Sequence, residues 1–334
     1  MEVDVRVALI GGGRIGRLHA EILSSFSDVD QLIVADADTA VARSVAEAVG
    51  GVAIDSIEDA IRAADAVVIA AATNAHAPLV RLAVGHGRPT FIEKPLAFDL
   101  DESRELVELV AATGIQVQVG FQRRFDVGYV EARRLVETGE MGVLYAVRLI
   151  AHDAAPPPEA YIPTSGGLFR DSSIHDFDAL RFVTGQEVED VYAVGSVRGF
   201  EMFAKYGDVD TAAAILRMSD GTIATLSQTR HDPRGYDIRM EVVGSKDAVS
   251  IGLGTHTPTR PLGQDALTLD TGWDGFLTRF EPAYRAELAA FIKVAKGDLP
   301  SPCEARDGYE AMRIAIAATQ SLREGRAVRI AEIQ

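Results

Sequence analysis

The stretch that decides the fold is Val5-Arg6-Val7-Ala8-Leu9-Ile10-Gly11-Gly12-Gly13-Arg14-Ile15-Gly16. A short apolar run is followed by three glycines with the spacing Gly-x-Gly-x-x-Gly, and a helical pattern begins directly after them. Glycines let the backbone approach a pyrophosphate, whose charge the N–H groups at a helix start can meet. The stretch therefore predicts a dinucleotide site formed by Gly11, Gly13, Arg14, Ile15 and Gly16. A purely structural glycine turn is the alternative.

An acidic residue follows at the distance that such a site requires. Asp36 lies about 20 residues beyond the last glycine, at the end of the second predicted strand, where a carboxylate can accept hydrogen bonds from both ribose hydroxyls. Asp36 would repel a 2′-phosphate, and Ala37 offers no positive charge to hold one. The pattern favours NAD over NADP as cofactor, with a solvated acid as the alternative.

The first part of the chain alternates apolar runs with helical patterns. This alternation predicts βαβ units and a parallel sheet, and strands that are apolar throughout agree with a sheet covered on both faces. We therefore predict an α/β Rossmann domain over residues 1–122. The predicted strands are Val5–Ile10, Gln31–Ala35, Ala66–Ala71, Pro89–Glu93 and Ile115–Phe121, with helices from about Ile15 and over Asp99–Ala112.

The second part has a different pattern, in which strands are joined by tight turns. Ser219-Asp220-Gly221 and Gly244-Ser245-Lys246-Asp247 are turn signals between strand-like runs. We predict an α+β domain over residues 123–334, with a large, mostly antiparallel open sheet. Its predicted strands are Leu144–Ala151, Val188–Val197, Thr211–Met218, Thr222–Thr229 and Ile238–Val243, and its helices are about Tyr129–Thr138, Ala283–Ala295 and Ala305–Arg323.

Composition excludes several classes of protein. The chain has 334 residues, which suggests two domains, and its 33 basic against 49 acidic residues give a formal net charge of −16. This charge disfavours nucleic acid and anionic lipid as partners. The single cysteine, Cys303, excludes an intrachain disulfide or a cysteine-based zinc cluster. No run is long enough for a membrane helix and no signal pattern is seen, so we expect a cytoplasmic protein.

Two polar segments are expected at the carboxyl ends of parallel strands, where ligands collect in such sheets. Thr73, Asn74 and His76 follow the third strand, and Glu93-Lys94-Pro95 follows the next, so we predict all of them near the cofactor. A lysine is poorly placed for packing after an apolar strand, which favours a functional Lys94 over a surface one. The sequence does not decide whether the bond before Pro95 is cis.

A third polar group is spaced for one face of a helix. In a helix over about Asp171–Thr184, the side chains of Asp171, His175 and Asp178 would share a face, because they lie at i, i+4 and i+7. A carboxylate beside His175 would suit a general base near neutral pH. A solvated polar face is the alternative, and a metal site is disfavoured because no Cys/His cluster accompanies the acids. The opposite, packing face would carry Phe177, Leu180 and Val183.

Taken together, these motifs resemble the glucose–fructose oxidoreductase/inositol dehydrogenase/rhizopine catabolism (Gfo/Idh/MocA) family, and most of all its bacterial inositol dehydrogenase branch. The resemblance covers essentially the whole chain. The motifs that carry it are the glycine turn, Glu93-Lys94-Pro95, Gly120-Phe121-Gln122-Arg123-Arg124-Phe125-Asp126, Gly166-Gly167 with Asp171-x-x-x-His175, and Gly235-Tyr236-Asp237.

The resemblance implies an NAD-dependent dehydrogenase that oxidises a secondary hydroxyl of a cyclitol (inositol) or related sugar to a ketone. It implies that His175 accepts the hydroxyl proton, that Lys94 polarises the reacting oxygen and that Asp171 supports His175. It also implies a homo-oligomer, a dimer or tetramer, assembled through the second-domain sheet. The substrate site would be lined by Arg124, His152, Asp178 and Tyr236.

Two other functions stay open at this point. One is a glycosidase of the same scaffold that uses bound NAD transiently, and the other is a regulatory protein that senses NAD without catalysis. The segment Thr229–Arg234 also departs from what the family pattern leads us to expect before Gly235-Tyr236-Asp237. The identity of the sugar or cyclitol therefore does not follow from the resemblance.

Overall fold

The computed structural model describes residues 4–260 and 270–334, which divide into two compact units. The first unit contains the described residues up to Gln122 together with Pro282–Glu310. The second contains Ala311–Gln334 and the described part of Arg123–Glu281. The chain therefore passes from the first unit to the second after Gln122 and returns to the first unit at Pro282.

The first unit is built on a six-stranded sheet whose strands are all parallel. Its strand order is 3-2-1-4-5-6, which is the order of a dinucleotide-binding Rossmann sheet. The predicted fold of this part is confirmed. The strands are β1 (Val5–Ile10), β2 (Val29–Ala35), β3 (Val52–Ala53), β4 (Ala66–Ile69), β5 (Thr90–Glu93) and β6 (Val117–Gly120).

The second unit is built on a seven-stranded sheet that is antiparallel except for one central pair. The predicted class, a mostly antiparallel sheet in an α+β domain, is confirmed. The strands are β7 (Leu144–His152), β8 (Val188–Ser196), β9 (Thr211–Met218), β10 (Ile223–Thr229), β11 (Asp237–Gly244), β12 (Ala248–Ile251) and β13 (Val328–Arg329).

The strand order in this sheet is β12-β11-β7-β10-β9-β8-β13, and β7 and β10 are the parallel pair. Both predicted turns join antiparallel neighbours, β9 to β10 and β11 to β12. On β9 and β10 buried residues alternate strictly with residues that are exposed or partly exposed. One face of the sheet is therefore packed and the other is open.

Helices flank the two sheets, and local capping explains several of their ends. Asp38 and Asp99 each accept a hydrogen bond from the backbone two or three residues on, at the start of a helix, and Gly50 and Gly114 end the same two helices with positive φ. No helix of the described residues is long and apolar enough to cross a membrane. The helices are α1 (Arg14–Ser24), α2 (Thr39–Val49), α3 (Ile57–Ala63), α4 (His76–Gly85), α5 (Leu100–Thr113), α6 (Val127–Glu137), α7 (Ile162–Ser165), α8 (Ile174–Thr184), α9 (Met202–Lys205), α10 (Phe276–Arg279), α11 (Glu281–Lys296) and α12 (Ala305–Glu324).

Helix α11 corrects the predicted division of the chain, which gave all of residues 123–334 to the second domain. Its Phe291 ring packs on Phe91 of β5, with ring centroids 5.8 Å apart. The Glu287 carbonyl oxygen accepts a hydrogen bond of 3.1 Å from Gln118 Nε2 on β6. These contacts bury an apolar face of α11 against the Rossmann sheet, which is why the helix belongs to the first unit despite its position in the sequence.

We expect Phe291→Ala to destabilise the first unit because Phe291 is fully buried. Removing a buried phenylalanine ring costs about 3–5 kcal/mol of unfolding free energy. Urea denaturation followed by circular dichroism measures the loss, with Lys293→Ala, an exposed change on the same helix, as the control. An unchanged unfolding curve for Phe291→Ala would contradict the packing of α11 on this sheet.

Candidate active site

The glycine turn lies where β1 and β4, neighbours in the sheet, both end. A Cβ atom on Gly11 would lie 2.6 Å from the Ala70 carbonyl oxygen, and one on Gly16 would lie 2.0 Å from the Gly11 carbonyl oxygen. Gly11 also has a φ of 104°, which disfavours any other residue. Gly11 must be glycine because it packs on the backbone that follows β4, and Gly16 must be glycine because the start of α1 packs on Gly11.

Gly13 has a different role in the same turn. A Cβ atom there would have no described atom within 4 Å, and Gly13 caps α1 without any side-chain hydrogen bond to its first N–H groups. The turn therefore leaves open space in front of helix N–H groups, which is the arrangement that a pyrophosphate requires. Arg14, which begins α1, is exposed beside it.

Asp36 lies directly after β2, and its carboxylate is held by the backbone. Oδ2 accepts a hydrogen bond of 2.7 Å from the Gly12 N–H, and Oδ1 accepts one of 2.8 Å from the Asp38 N–H. The side chain is only half-buried. The acid is thus fixed beside the glycine turn while remaining accessible, and these residues fit the adenosine ribose of NAD.

The segments after β4 and β5 lie side by side because these strands are neighbours. Thr73 and Asn74 begin a 3-10 helical turn that leads into α4. The buried ring of His76 lies between the two segments, with Nδ1 2.7 Å from the Pro95 carbonyl oxygen and Nε2 3.1 Å from the Ala71 carbonyl oxygen. Burial lowers the pKa of His76. His76 therefore braces the backbone next to Lys94.

Lys94 is half-buried, and its backbone is held by the residues on either side of it. The Lys94 N–H donates a hydrogen bond of 3.2 Å to Glu93 Oε2, and the Lys94–Pro95 peptide bond is cis. Glu93 Oε1 accepts a 2.7 Å hydrogen bond from Nε2 of His19, which is buried on α1. The predicted lysine thus leaves the sheet at the same edge as the glycine turn.

In the second unit, Asp171 and His175 do not lie on one regular α-helix. Phe169–Ser173 form a turn of π-helix, and α8 begins only at Ile174. The predicted helix from Asp171 is wrong in this respect, because a π-turn changes the angle between residues four apart. Gln228 of β10 holds this turn through its side-chain amide. It accepts a hydrogen bond of 3.1 Å from Ser173 Oγ and donates one of 2.9 Å to Ser172 Oγ.

The predicted separation of polar and apolar faces on α8 is also wrong. Asp176 and Asp178 are as fully buried as Phe177. Arg123 donates to Asp176 at 2.5 Å, and Arg124 donates to both oxygens of Asp178 at 2.9 and 2.7 Å. A buried carboxylate is costly unless it is paired, so the two arginines explain why the acids tolerate burial.

Both carboxylate oxygens of Asp171 accept hydrogen bonds from other side chains. Its Oδ1 accepts a 2.8 Å hydrogen bond from the Tyr161 hydroxyl, and its Oδ2 accepts one of 2.9 Å from Arg230 Nη2. Arg230 is 4% exposed and also lies 3.4 Å from Asp153 Oδ2. Burial opposes the charge of Arg230, but Asp171 and Asp153 more than compensate and raise its pKa.

The other predicted substrate residues are held by protein groups. His152 Nε2 lies 3.1 Å from the Ser227 hydroxyl and Nδ1 lies 3.3 Å from Asp232 Oδ2. Asp237 completes a group that resembles a cation site, but both of its carboxylate oxygens accept hydrogen bonds from Arg239 at 2.8 Å. Tyr236 is buried, and burial raises its pKa. A substrate contact from His152, Tyr236, Arg124 or Asp178 stays a prediction.

Several residues of these surroundings did not emerge from the sequence. His19 supports Glu93, Tyr161 and Arg230 hold Asp171, and Arg123 neutralises Asp176. A histidine on the buried face of the helix after the glycine turn was a usable signal for His19. The sequence signal for Arg230 was weak: the residue lies in the segment Thr229–Arg234, which departs from the expected pattern.

A parallel sheet in the order 3-2-1-4-5-6, with this glycine turn and acid, defines a dinucleotide-binding protein with a Rossmann fold. Family models agree: residues 5–121 match the oxidoreductase family with an NAD-binding Rossmann fold, and residues 129–250 match the GFO/IDH/MocA C-terminal domain. The chain belongs to the GFO/IDH/MocA family. It is an NAD-dependent oxidoreductase.

Individual proteins show similarity over almost the full chain. The myo-inositol dehydrogenase Hyg17 of Streptomyces leeuwenhoekii is 38% identical, over 96% of this chain and 98% of that protein. A probable dehydrogenase from Thermotoga maritima superposes with a TM-score of 0.92 at 35% identity, over 98% of this chain and 100% of the other. The scyllo-inositol dehydrogenase of Lactobacillus casei with NAD(H) and scyllo-inositol bound superposes with a TM-score of 0.88 at 26% identity, over 98% and 99% of the two chains.

We expect Asp36→Ser to weaken NAD selectively. Loss of charged hydrogen bonds worth about 1.5–3 kcal/mol corresponds to an increase of about 10- to 100-fold in the KM for NAD, while the disadvantage of NADP shrinks. Steady-state kinetics with each cofactor measure the KM for NAD and the ratio of kcat/KM for NAD to that for NADP. Asp38→Asn is the control, because it removes a neighbouring charge and keeps the cap of α2. Equal wild-type efficiency with NADP would contradict the role of Asp36.

Proposed function

We propose that this enzyme oxidises a secondary hydroxyl group, a CH–OH, of a cyclitol such as inositol, or of a related sugar, to a ketone. The names of the Streptomyces relative and of the Lactobacillus casei structure support a cyclitol as substrate. The observation that carries the proposal is Lys94, which is held half-buried at the same sheet edge as the glycine turn. An ammonium placed there serves chemistry better than packing.

In the proposed reaction, bound NAD supplies the acceptor for the hydride that leaves the hydroxyl-bearing carbon. The Lys94 ammonium donates a hydrogen bond to the reacting oxygen and stabilises the negative charge that develops on it. His175 accepts the hydroxyl proton on its imidazole, and the Asp171 carboxylate favours the resulting cation. Arg124, His152, Asp178 and Tyr236 complete the proposed polyol site.

We expect His175→Ala to lower kcat by about 100-fold or more, because general base catalysis is typically worth that factor. NADH affinity should stay within about twofold, since the residue acts on the substrate proton. Steady-state kinetics and NADH titration measure both quantities. His86→Ala, which removes a partly exposed histidine of α4's end, is the control. Wild-type turnover in His175→Ala would refute the assigned role.

Lys94→Ala should lower kcat by a comparable factor, about 100-fold, because the charge that it stabilises exists mainly in the transition state. Thermal unfolding of the same variant separates this from a structural role. A lower melting temperature with unchanged kcat would show that Lys94 only supports the fold.

A screen of cyclitols and aldoses with NAD identifies the reaction itself. Net NADH formation, read from its absorbance, is the expected result for a dehydrogenase. A glycosidase that uses NAD transiently would release sugar without net NADH, and a sensor would bind NAD without turnover on any polyol. The cytoplasmic location expected from the sequence stays a prediction.

We also propose that the open face of the second-unit sheet joins copies of this chain into a dimer or tetramer. Tyr192 of β8 pairs directly with Ile215 of β9, and the two side chains are 40% and 54% exposed. Val194 of β8 and Ile223 of β10 are also about half exposed. Apolar residues grouped on one sheet face are typical of a surface that another protein covers.

We expect Ile215→Glu to weaken this assembly because it places a charge in an apolar contact. Size-exclusion chromatography with light scattering should show a lower mass than for the wild type. Lys293→Glu, an exposed charge change in the first unit, is the control. A monomeric wild type, or an Ile215→Glu variant of unchanged mass, would contradict the proposed interface.

A further inference from the structure

Arg230 follows β10 directly, and its side chain is buried beside two carboxylates. Its side chain is 4% exposed. One end of its guanidinium, Nη2, lies 2.9 Å from Asp171 Oδ2, and the other end, Nη1, lies 3.4 Å from Asp153 Oδ2. The Arg230 N–H donates a 2.8 Å hydrogen bond to the Asp210 carbonyl oxygen. The residue is thus fixed at its backbone and at both ends of its guanidinium.

The two carboxylates that Arg230 contacts come from different elements. Asp153 follows β7, the parallel neighbour of β10, and its N–H donates to the Thr229 carbonyl oxygen at 3.0 Å. Asp171 lies on the π-helical turn before α8. Arg230 therefore links the ends of two central strands to that turn. Because a guanidinium is planar, it imposes a direction on each carboxylate that it binds.

The hydrogen bond from Tyr161 fixes the second oxygen of Asp171. The Tyr161 hydroxyl donates to Oδ1 while Arg230 donates to Oδ2, so the plane of the carboxylate is set from two sides. Tyr161 is partly exposed and bears no charge, whereas Arg230 is buried and charged. Arg230 is the stronger of the two constraints because hydrogen bonds from a charged donor are roughly twice as strong as neutral ones.

We propose that Arg230 is a positioning residue for the reaction: it orients the Asp171 carboxylate so that Asp171 can support His175. This inference rests on the proposed function, in which Asp171 is the partner of His175. Arg230 acts through Asp171 and does not itself contact the reacting atoms. The segment Thr229–Arg234, which departs from the expected family pattern, thereby gains a defined part in catalysis.

If Arg230 only stabilises the fold, a different pattern of kcat values is expected. An arginine that only stabilises the fold would affect kcat equally whether or not Asp171 is intact. A positioning residue loses its influence once the group that it positions is gone, because its effect and that of Asp171 are then not additive. The kinetics of paired variants distinguish the two roles.

The experiment compares Arg230→Gln and Arg230→Lys in the wild type, and Arg230→Gln in an Asp171→Asn background. We expect Arg230→Gln to lower kcat by about 10- to 100-fold, because small displacements of catalytic groups cost rates of this size. The KM for inositol and the Kd for NADH should change by less than about threefold. Arg230→Lys keeps the positive charge and should recover part of kcat. In Asp171→Asn, the further loss from Arg230→Gln should be less than about threefold.

Arg181→Gln is the matched control. Arg181 is a largely buried arginine on α8 that binds Glu187, an acid outside the proposed site, with two hydrogen bonds of 2.7 Å. It should lower the melting temperature without lowering kcat. If Arg230→Gln fails to fold, Arg230→Lys in both backgrounds provides the same comparison.

Two results overturn the inference, and they are distinguishable from failure of the proposed function. A kcat for Arg230→Gln equal to that of the wild type would show that Arg230 is structural only. An equal loss of kcat in both backgrounds would show that it does not act through Asp171. Absence of NADH formation by the wild type with every cyclitol and aldose would instead contradict the proposed function, and with it the inference that rests on it.

Discussion

The close contact between the glycine turn and the start of α1 is the constraint on which the first unit depends. A Cβ atom at Gly16 would lie only 2.0 Å from the Gly11 carbonyl oxygen. Helix α1 can therefore pack on the glycine turn only because residue 16 has no side chain. The same contact directs the N–H groups of α1 toward the open space at Gly13. Because all six strands are parallel, β2 and β5 end at that same edge, and Asp36 and Lys94 are the first residues after them. One steric requirement thus determines where the dinucleotide can bind.

In the second unit, the corresponding constraint is electrostatic. The chain carries an excess of acidic residues, and three acids around α8 and its preceding turn are each paired with an arginine: Asp176 with Arg123, Asp178 with Arg124, and Asp171 with Arg230. Leaving one partner of such a pair buried alone costs several kcal/mol, so the pairs fix the orientation of the segment that carries His175. Positioning of the proposed base therefore depends on charges contributed by other elements.

The sequence predicted the features that depend on neighbouring residues. Strand alternation, glycine spacing and turn signals identified the Rossmann sheet, the antiparallel hairpins and the glycine turn, and these local patterns are confirmed. It did not predict the return of α11 to the first unit or the parallel pairing of β7 with β10, because both depend on partners far along the chain. For the same reason it missed the pairing of Asp171 with Arg230, whose residues are 59 positions apart. The π-turn at Phe169–Ser173 escaped because regular helical spacing was assumed.

The proposed function requires Lys94 and His175 to act on one hydroxyl group beside the nicotinamide. A crystal structure of the protein with NADH and an inositol bound tests this most directly. We expect one substrate oxygen within hydrogen-bonding distance, about 2.6–3.2 Å, of both Lys94 Nζ and a His175 ring nitrogen, on the carbon that faces the nicotinamide. An inositol bound beside the cofactor, with either side chain directed away from that oxygen, would contradict the proposed roles of Lys94 and His175.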